Sequence, residues 1–377
     1  MEKQKLVMLP GPTNVPERVM KAMTKPIINH RSPAFGRLYL SVIDKAKKVF
    51  QTEKDMLILT SSGTGSLEAS VFNLIRKGDN VVVPVFGTFG ERVATLVENA
   101  GGNVIRVKAE KGNCPKFEEI EEAFEKTKNV KALYVVCTET STGVKVPWLK
   151  EAGELASNYG SFYITDAISH LGGDDLPVDK WNVDICITAS QKCLAAPPGL
   201  SLISISKRAR KFMTDNPPTT LYFNLPRYFE YLEQRVETPY TPSIPLFYAL
   251  EEALQMVIEE GLENRIERHK RCAKAFYSAF EAMGLKLFAD KWARSNTVLS
   301  IAYKDGVDDI KFRTMLDEEF DVLVAGSFGE LKGKIFRIGN MGIVSELIVE
   351  RTVKAIAQAL KKLNVNVDEE KAINVIK

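Results

Sequence analysis

The sequence predicts an α/β protein, a mostly parallel sheet covered by helices and followed by a smaller α+β domain. Three observations lead there. Apolar strand-like runs alternate with amphipathic helical runs through the first part of the chain, the pattern of parallel strands joined by helical crossovers. A long helical stretch from Phe247 to about Met283 then interrupts the alternation, with Gly261 tolerating a break inside it. Shorter strands and a final helix come after it. A chain of 377 residues is long enough for one large and one smaller core, and the expected division is an N-terminal segment 1–18, a large domain 19–261 and a small domain 262–377.

The first informative strand, Met56–Leu59, enters Thr60-Ser61-Ser62-Gly63-Thr64-Gly65-Ser66 and then a helical pattern. Such a turn presents backbone N–H groups at a positive helix terminus, which in physical terms is a phosphate site. It lacks the Lys-Ser/Thr ending of a P-loop and the Gly-x-Gly-x-x-Gly of a dinucleotide fold. Ser62 or Thr64 acting only as helix caps is the alternative. Asn80–Val85, Asn103–Val107 and Ala132–Val136 read as further strands.

Ser161–Asp166 is a strand pattern that ends on an acid, and carboxyl ends of strands are where such folds bind ligands. An aspartate there is suited to hold a ring nitrogen protonated through a charge-assisted hydrogen bond. It is equally suited to cap a helix. Asp184–Ala189 runs into Ser190-Gln191-Lys192. A lysine at the end of a buried strand is a Schiff-base candidate, because desolvation disfavours its ammonium; an ordinary surface lysine is the alternative. Thr297–Ala302, Val322–Ala325 and Lys334–Ile338 are expected as strands of the small domain and Glu346–Lys362 as its helix. The polar tail after Asn364 is expected to be loosely held.

Composition narrows the functional classes. Hydrophobic residues make up 45% and charged residues 26%, an ordinary globular balance. The net charge of +3 is dispersed, so no nucleic-acid surface is expected. No apolar stretch is long enough to cross a bilayer, and Met1–Lys5 leads into Leu-Pro-Gly-Pro without the apolar core of a signal peptide. The five cysteines form no Cys-x-x-Cys pair, which suggests reduced thiols in a cytoplasmic protein. His30, His170 and His269 are scattered, so no catalytic metal is expected.

An amine, an acid and a phosphate cradle are the parts that pyridoxal phosphate requires as an electron sink. The strings that carry them closely resemble the class V aminotransferases of the pyridoxal-phosphate-dependent fold type I enzymes, in the alanine–glyoxylate and serine–pyruvate branch. The resemblance runs from Leu9-Pro10-Gly11-Pro12-Thr13-Asn14-Val15-Pro16 to Gly333-Lys334-Ile335-Phe336-Arg337-Ile338-Gly339, and Ser190-Gln191-Lys192 with Ala195-Ala196-Pro197-Pro198-Gly199 behind it is the most specific part. It implies a seven-stranded sheet in the large domain.

Residue by residue, the resemblance implies that Lys192 binds pyridoxal phosphate and shuttles the substrate proton, while Asp166 lies under the pyridine nitrogen. Ser62, Gly63, Thr64 and Gln191 would hold the phosphate. Phe89 would stack on one ring face and Ile168 lie against the other; Thr140 would offer a hydroxyl near the ring. Thr241, in Thr238-Pro239-Tyr240-Thr241-Pro242-Ser243, would reach the phosphate of a neighbouring subunit, which makes a homodimer with shared active sites. Arg337 would grip the substrate carboxylate, a task suited to a planar guanidinium. Cys137 stands where relatives often have histidine and is expected to be a buried thiol; His170 replaces an expected serine and is read as a plain loop histidine.

The expected reaction is ping-pong transamination between alanine or serine and glyoxylate or pyruvate. Aspartate as donor is the first alternative, for which Arg31 is the available second cation, although a structural role suits it better. A class V lyase such as a cysteine desulfurase needs a mobile cysteine in the small domain, and the last cysteine, Cys272, falls within a helical run. A regulator or storage protein would need an appended module that the sequence does not offer.

Overall fold

In the computed structural model, which describes residues 5–376, seven strands form the central sheet: β1 (Asp55–Leu59), β2 (Asn80–Val85), β3 (Asn103–Lys108), β4 (Val130–Val136), β5 (Phe162–Asp166), β6 (Ile185–Ala189) and β7 (Ser201–Ile205). Their spatial order is β1-β7-β6-β5-β4-β2-β3. Every pairing from β3 across to β6 is parallel, whereas β7 runs antiparallel to both β6 and β1. Strands β5, β6 and β7 are buried at every position, as expected where both faces of a sheet are covered.

Side-chain alternation along the strands separates two cores. Ile58, Val82, Leu133, Tyr163 and Leu202 face helices α1 (Pro33–Phe50) and α4 (Ile244–Glu260). Leu57, Val83, Tyr134, Ile164 and Ile203 face α2 (Gly63–Leu74) and α3 (Thr88–Asn99). The period of two in a pleated strand enforces this division.

A third core gathers Leu6 and Met8 with Phe276, Phe280, Phe312, Phe336 and Ile356. There Val298–Ala302 pairs antiparallel with Ile335–Gly339, and Leu6–Val7 pairs parallel with Val322–Leu323. Gly261 (φ 82°) separates α4 from α5 (Leu262–Ala282). We propose that it divides the large from the small domain, with the segment Leu6–Val7 lent to the small one.

Two expectations need correction. The tail after Asn364 is not loose: Val367 and Ala372 are buried, and α7 (Glu369–Asn374) packs on α5 and on α6 (Glu346–Lys362). A few apolar residues at helical spacing, with Glu369 paired to Lys361 at 2.7 Å, suffice to dock a segment that is polar on average. The strand expected over Val322–Ala325 is only Val322–Leu323, continued by a bridge between Ala325 and Arg337. No helix of the described residues is long and apolar enough to cross a membrane.

Candidate active site

The carboxyl ends of β1, β4, β5 and β6 open onto one cavity of about 130 Å³. This is where parallel strands deliver the loops that bind ligands. Of the residues expected at the site, Ser62, Gly63, Thr64, Phe89, Thr140, Asp166, Ile168, Gln191 and Lys192 all line it. Arg337 and Thr241 do not.

Lys192 comes after β6, and its Nζ donates to the carbonyl of Pro10. Burial pulls its amine down to about 8, with the nearby Asp166 carboxylate opposing. The close approach of the chain at Gly11 requires a glycine: a Cβ there would lie 2.5 Å from Lys192 Cδ, and its φ is 97°. Asp166 ends β5 and is 4% exposed. Its Oδ1 accepts from Ile168 N at 2.9 Å, and burial pushes its carboxyl up to about 6, with Glu139 adding and Lys192 opposing. No α-helix starts behind it, so the helix-cap reading of this residue lapses and it closes a local turn instead.

Gly63 opens α2, and Ser62, its N-cap residue, makes no side-chain capping bond. Gly65 N donates to Ser62 O at 2.9 Å, and the N–H groups of Gly63 and Thr64 before it stay available to an anion. A Cβ on Gly63 would come within 2.5 Å of Ile168 Cδ1, so glycine keeps the cradle open. The side-chain oxygen of Gln191 is buried without a hydrogen-bond partner. Such an orphaned polar atom in a cavity points to a ligand.

Phe89 lies in the first turn of α3, and Arg92, one turn on, stacks on its ring at 4.6 Å and reaches Thr64 Oγ1 at 3.2 Å. Arg92 is a site residue that sequence reasoning does not single out; its three-residue spacing from Phe89 on a helix is the only signal there. Thr140 shares a 2.6 Å hydrogen bond with Ser169. Glu139, equally unmarked in the sequence, is fully buried beside them.

Arg337 projects from the small-domain strand and is 5% exposed. Its Nε donates to Gly326 O and its Nη1 to Thr140 O, both at 2.8 Å, and Phe328 covers its face at 4.6 Å. Burial lowers its guanidinium to about 10, still charged at neutral pH, and Glu139 opposes the shift. Nη2 has no hydrogen-bond partner among the described residues. Thr241 is exposed and does not line the cavity of its own chain.

His170 is buried between Thr138 Oγ1 (2.9 Å) and Asp175 O (3.0 Å). Burial holds its imidazole below the usual range, so it is a neutral structural residue outside the cavity. Cys137 is a fully buried thiol, as expected. Arg31 is engaged by Glu237 at 2.7 Å, Thr238 O at 2.6 Å and Pro239 O at 3.3 Å. Cys272 is buried in α5, and no cluster of metal-ligating side chains occurs among the described residues.

A desolvated lysine facing a buried acid at the carboxyl edge of a seven-stranded sheet defines a pyridoxal-phosphate enzyme of fold type I. Comparison with known proteins agrees and sharpens the class. The aminotransferase class-V family model matches residues 8–331, and the chain belongs to that family. It is 46% identical over 367 residues to an uncharacterized aminotransferase of Methanocaldococcus jannaschii, covering 97% of this chain and 95% of that one. It is 36% identical over 352 residues to the serine–glyoxylate aminotransferase of Methylorubrum extorquens, covering 90% and 87%. Among solved structures, the ureidoglycine–glyoxylate aminotransferase of Bacillus subtilis superposes with a TM-score of 0.94 at 31% identity, covering 100% of this chain and 98% of that one.

The protein is therefore an aminotransferase that uses pyridoxal phosphate. The cavity suits that cofactor on its own terms: an amine poised near neutrality, an acid at its base and a helix terminus kept open by Gly63.

Proposed function

We propose that the protein transfers an amino group from alanine or serine to glyoxylate or pyruvate by a ping-pong mechanism. The observation that carries this reading is Arg337, a single buried guanidinium held by two backbone carbonyls with Nη2 left over. Such a group binds one carboxylate in a fixed orientation. Arg31, which an aspartate side chain would need, is already taken up by Glu237 and two carbonyls. Arg92, the guanidinium that lines the cavity, is turned onto the Phe89 ring and Thr64 Oγ1, so Arg337 is the cation assigned to a small substrate with one carboxylate.

When bound, pyridoxal phosphate supplies the electron sink for the pair released at the substrate Cα. The chain's own residues do the rest. Asp166, buried at the end of β5, would keep the ring nitrogen protonated through a charge-assisted hydrogen bond. Arg337 would hold the substrate carboxylate and so fix the orientation of the Cα–H bond. The Lys192 amine, lowered to about 8, has the basicity to take the substrate Cα proton, hold it as the ammonium and give it up again. Gly63, Thr64, Ser62 and Gln191 would hold the phosphate, and Phe89 with Ile168 would lie against the ring.

We further propose a cytoplasmic homodimer in which Thr241 of each subunit serves the partner's phosphate, supported by its exposure and its absence from the lining of its own cavity. Half-reaction spectroscopy tests the substrate reading. Alanine, serine or aspartate is added singly to the holoenzyme, and loss of the visible band of lysine-bound cofactor is followed. Fast bleaching by alanine or serine is expected; bleaching by aspartate alone transfers the assignment to a dicarboxylate aminotransferase.

A further inference from the structure

Glu139 has no solvent exposure, yet it does not line the cavity and meets no basic side chain at ion-pair distance among the described residues. Its carboxylate instead accepts from four donors. Oε2 takes the backbone N–H groups of Phe89 and Gly90, each at 3.0 Å. Oε1 takes the N–H of Ser141 at 3.1 Å and the Ser141 hydroxyl. That hydroxyl is itself the acceptor for Thr88 N at 3.0 Å, so its proton must point at Glu139. Burial pushes the carboxyl above its ordinary value, and all four donors oppose that push. A carboxyl facing only donors has no acceptor for a proton of its own, so at neutral pH it is held as the anion.

These bonds tie two loops together. One begins α3 and carries Phe89. The other carries Thr140 and Ser141, whose carbonyls are the acceptors for Arg337 Nη1 and for Ser327 Oγ of the small domain. The space between them is shaped for this side chain: a Cβ on Gly87 would lie 2.3 Å from Glu139 Cγ. An acid also sits well at the start of α3, where the helix terminus is positive.

We propose that Glu139 is a positioning residue that sets the ring stacked on the cofactor and the arginine that binds substrate with a single buried charge. It acts through Phe89 on one side and through Thr140 and Arg337 on the other, and touches neither cofactor nor substrate. The inference rests on the roles proposed for Phe89 and Arg337.

The test is Glu139→Gln, which turns two acceptor positions into a donor facing N–H groups. Two readouts are taken: cofactor affinity of the apoprotein with the circular dichroism induced in the bound cofactor, and KM against kcat for the amino donor. Glu139→Gln is expected to weaken cofactor binding and raise KM by about tenfold each, the scale of a lost charged hydrogen bond, and to alter the induced dichroism. A purely structural role would lower the melting temperature and leave these readouts of the folded protein unchanged; that result overturns the proposal. Should Glu139→Gln not fold, Ser141→Ala decides, with a several-fold change in both quantities expected and no change overturning it. Phe89→Ala and Arg337→Ala run alongside. If they impair cofactor and substrate binding while the Glu139 and Ser141 variants do not, only this inference falls. If they too are silent, the roles given to Phe89 and Arg337 fall first and this inference with them.

Discussion

Arg337 Nη1 donates to the carbonyl of Thr140 at 2.8 Å, so the strand Ile335–Gly339 is hydrogen-bonded to the loop after β4, whose Thr140 lines the cavity. The second bond, from Nε to Gly326 O, fixes the guanidinium plane. Its remaining edge is the one proposed to take the substrate carboxylate, a role that would tie substrate recognition to this contact.

Replacing Arg337 by lysine keeps the charge and loses the planar fork. KM for the amino donor is expected to rise by about ten- to a hundredfold, the value of a charge-assisted bidentate contact, with cofactor affinity nearly unchanged. Steady-state kinetics and cofactor titration check both halves; an unaltered KM refutes the carboxylate role.

Lys192 gives a pH dependence whose sign is fixed by burial. Its amine is lowered from 10.5 to about 8, so in the folded apoprotein the ammonium dominates below that value and the free amine above it. The rate of cofactor capture by the apoprotein should climb through pH 8 and then level off. Between the two values the unfolded chain carries a proton that the folded chain lacks, so stability relative to Lys192→Ala should rise with pH across that window. Stopped-flow absorbance and denaturant titrations read the two effects.

Asp166 shows the opposite linkage. Its carboxyl is raised from 3.8 to about 6, so between these values the folded chain holds the extra proton and stability falls as pH rises. At neutral pH the buried anion is a burden on the apoprotein. Asp166→Asn should therefore raise the apoprotein melting temperature while reducing turnover by orders of magnitude, a trade of function for stability. Calorimetry beside an activity assay tests it.

Gly63→Ala should leave the fold intact, since the residue is helical. The added methyl would meet Ile168 Cδ1 at 2.5 Å and Ala189 Cβ at 3.2 Å. Cofactor affinity is expected to drop by about tenfold, consistent with a small overpacking cost, which fluorescence titration of the apoprotein measures.

Thr241 gives a complementation test for the proposed dimer. Thr241→Ala and Lys192→Ala homodimers should each be impaired. Mixed dimers should regain activity at one of their two sites, because one cavity then has both its own Lys192 and the partner's threonine. Mixtures that regain nothing after subunit exchange would count against shared sites.

Much of the site is legible in the chain because its parts sit next to the element ends that place them. A strand of β-branched and apolar residues must end somewhere, and in this fold Asp166, Lys192 and the Ser62-Gly63-Thr64 turn stand at or just beyond those ends. Arg92 and Glu139 are not legible in the same way. The first is one charged residue on a helix that carries others, and the second becomes a hub only when the loop after β4 folds under the start of α3. Strand β7 also escapes the sequence pattern, since its antiparallel direction is a property of its neighbours rather than of Ser201–Ile205.

By itself, the sequence determined the α/β class, the class V family strings and, through local periodicity, turn chemistry and the family resemblance together, nine of the residues that line the cavity. Only the tertiary structure decided that Arg337 leans on Thr140, that one buried carboxylate joins Phe89 to Ser141, and that the polar tail docks on the small domain. Those contacts join residues tens to hundreds of positions apart, where charge, desolvation and packing depend on what surrounds a group in space and not on what precedes it in the chain.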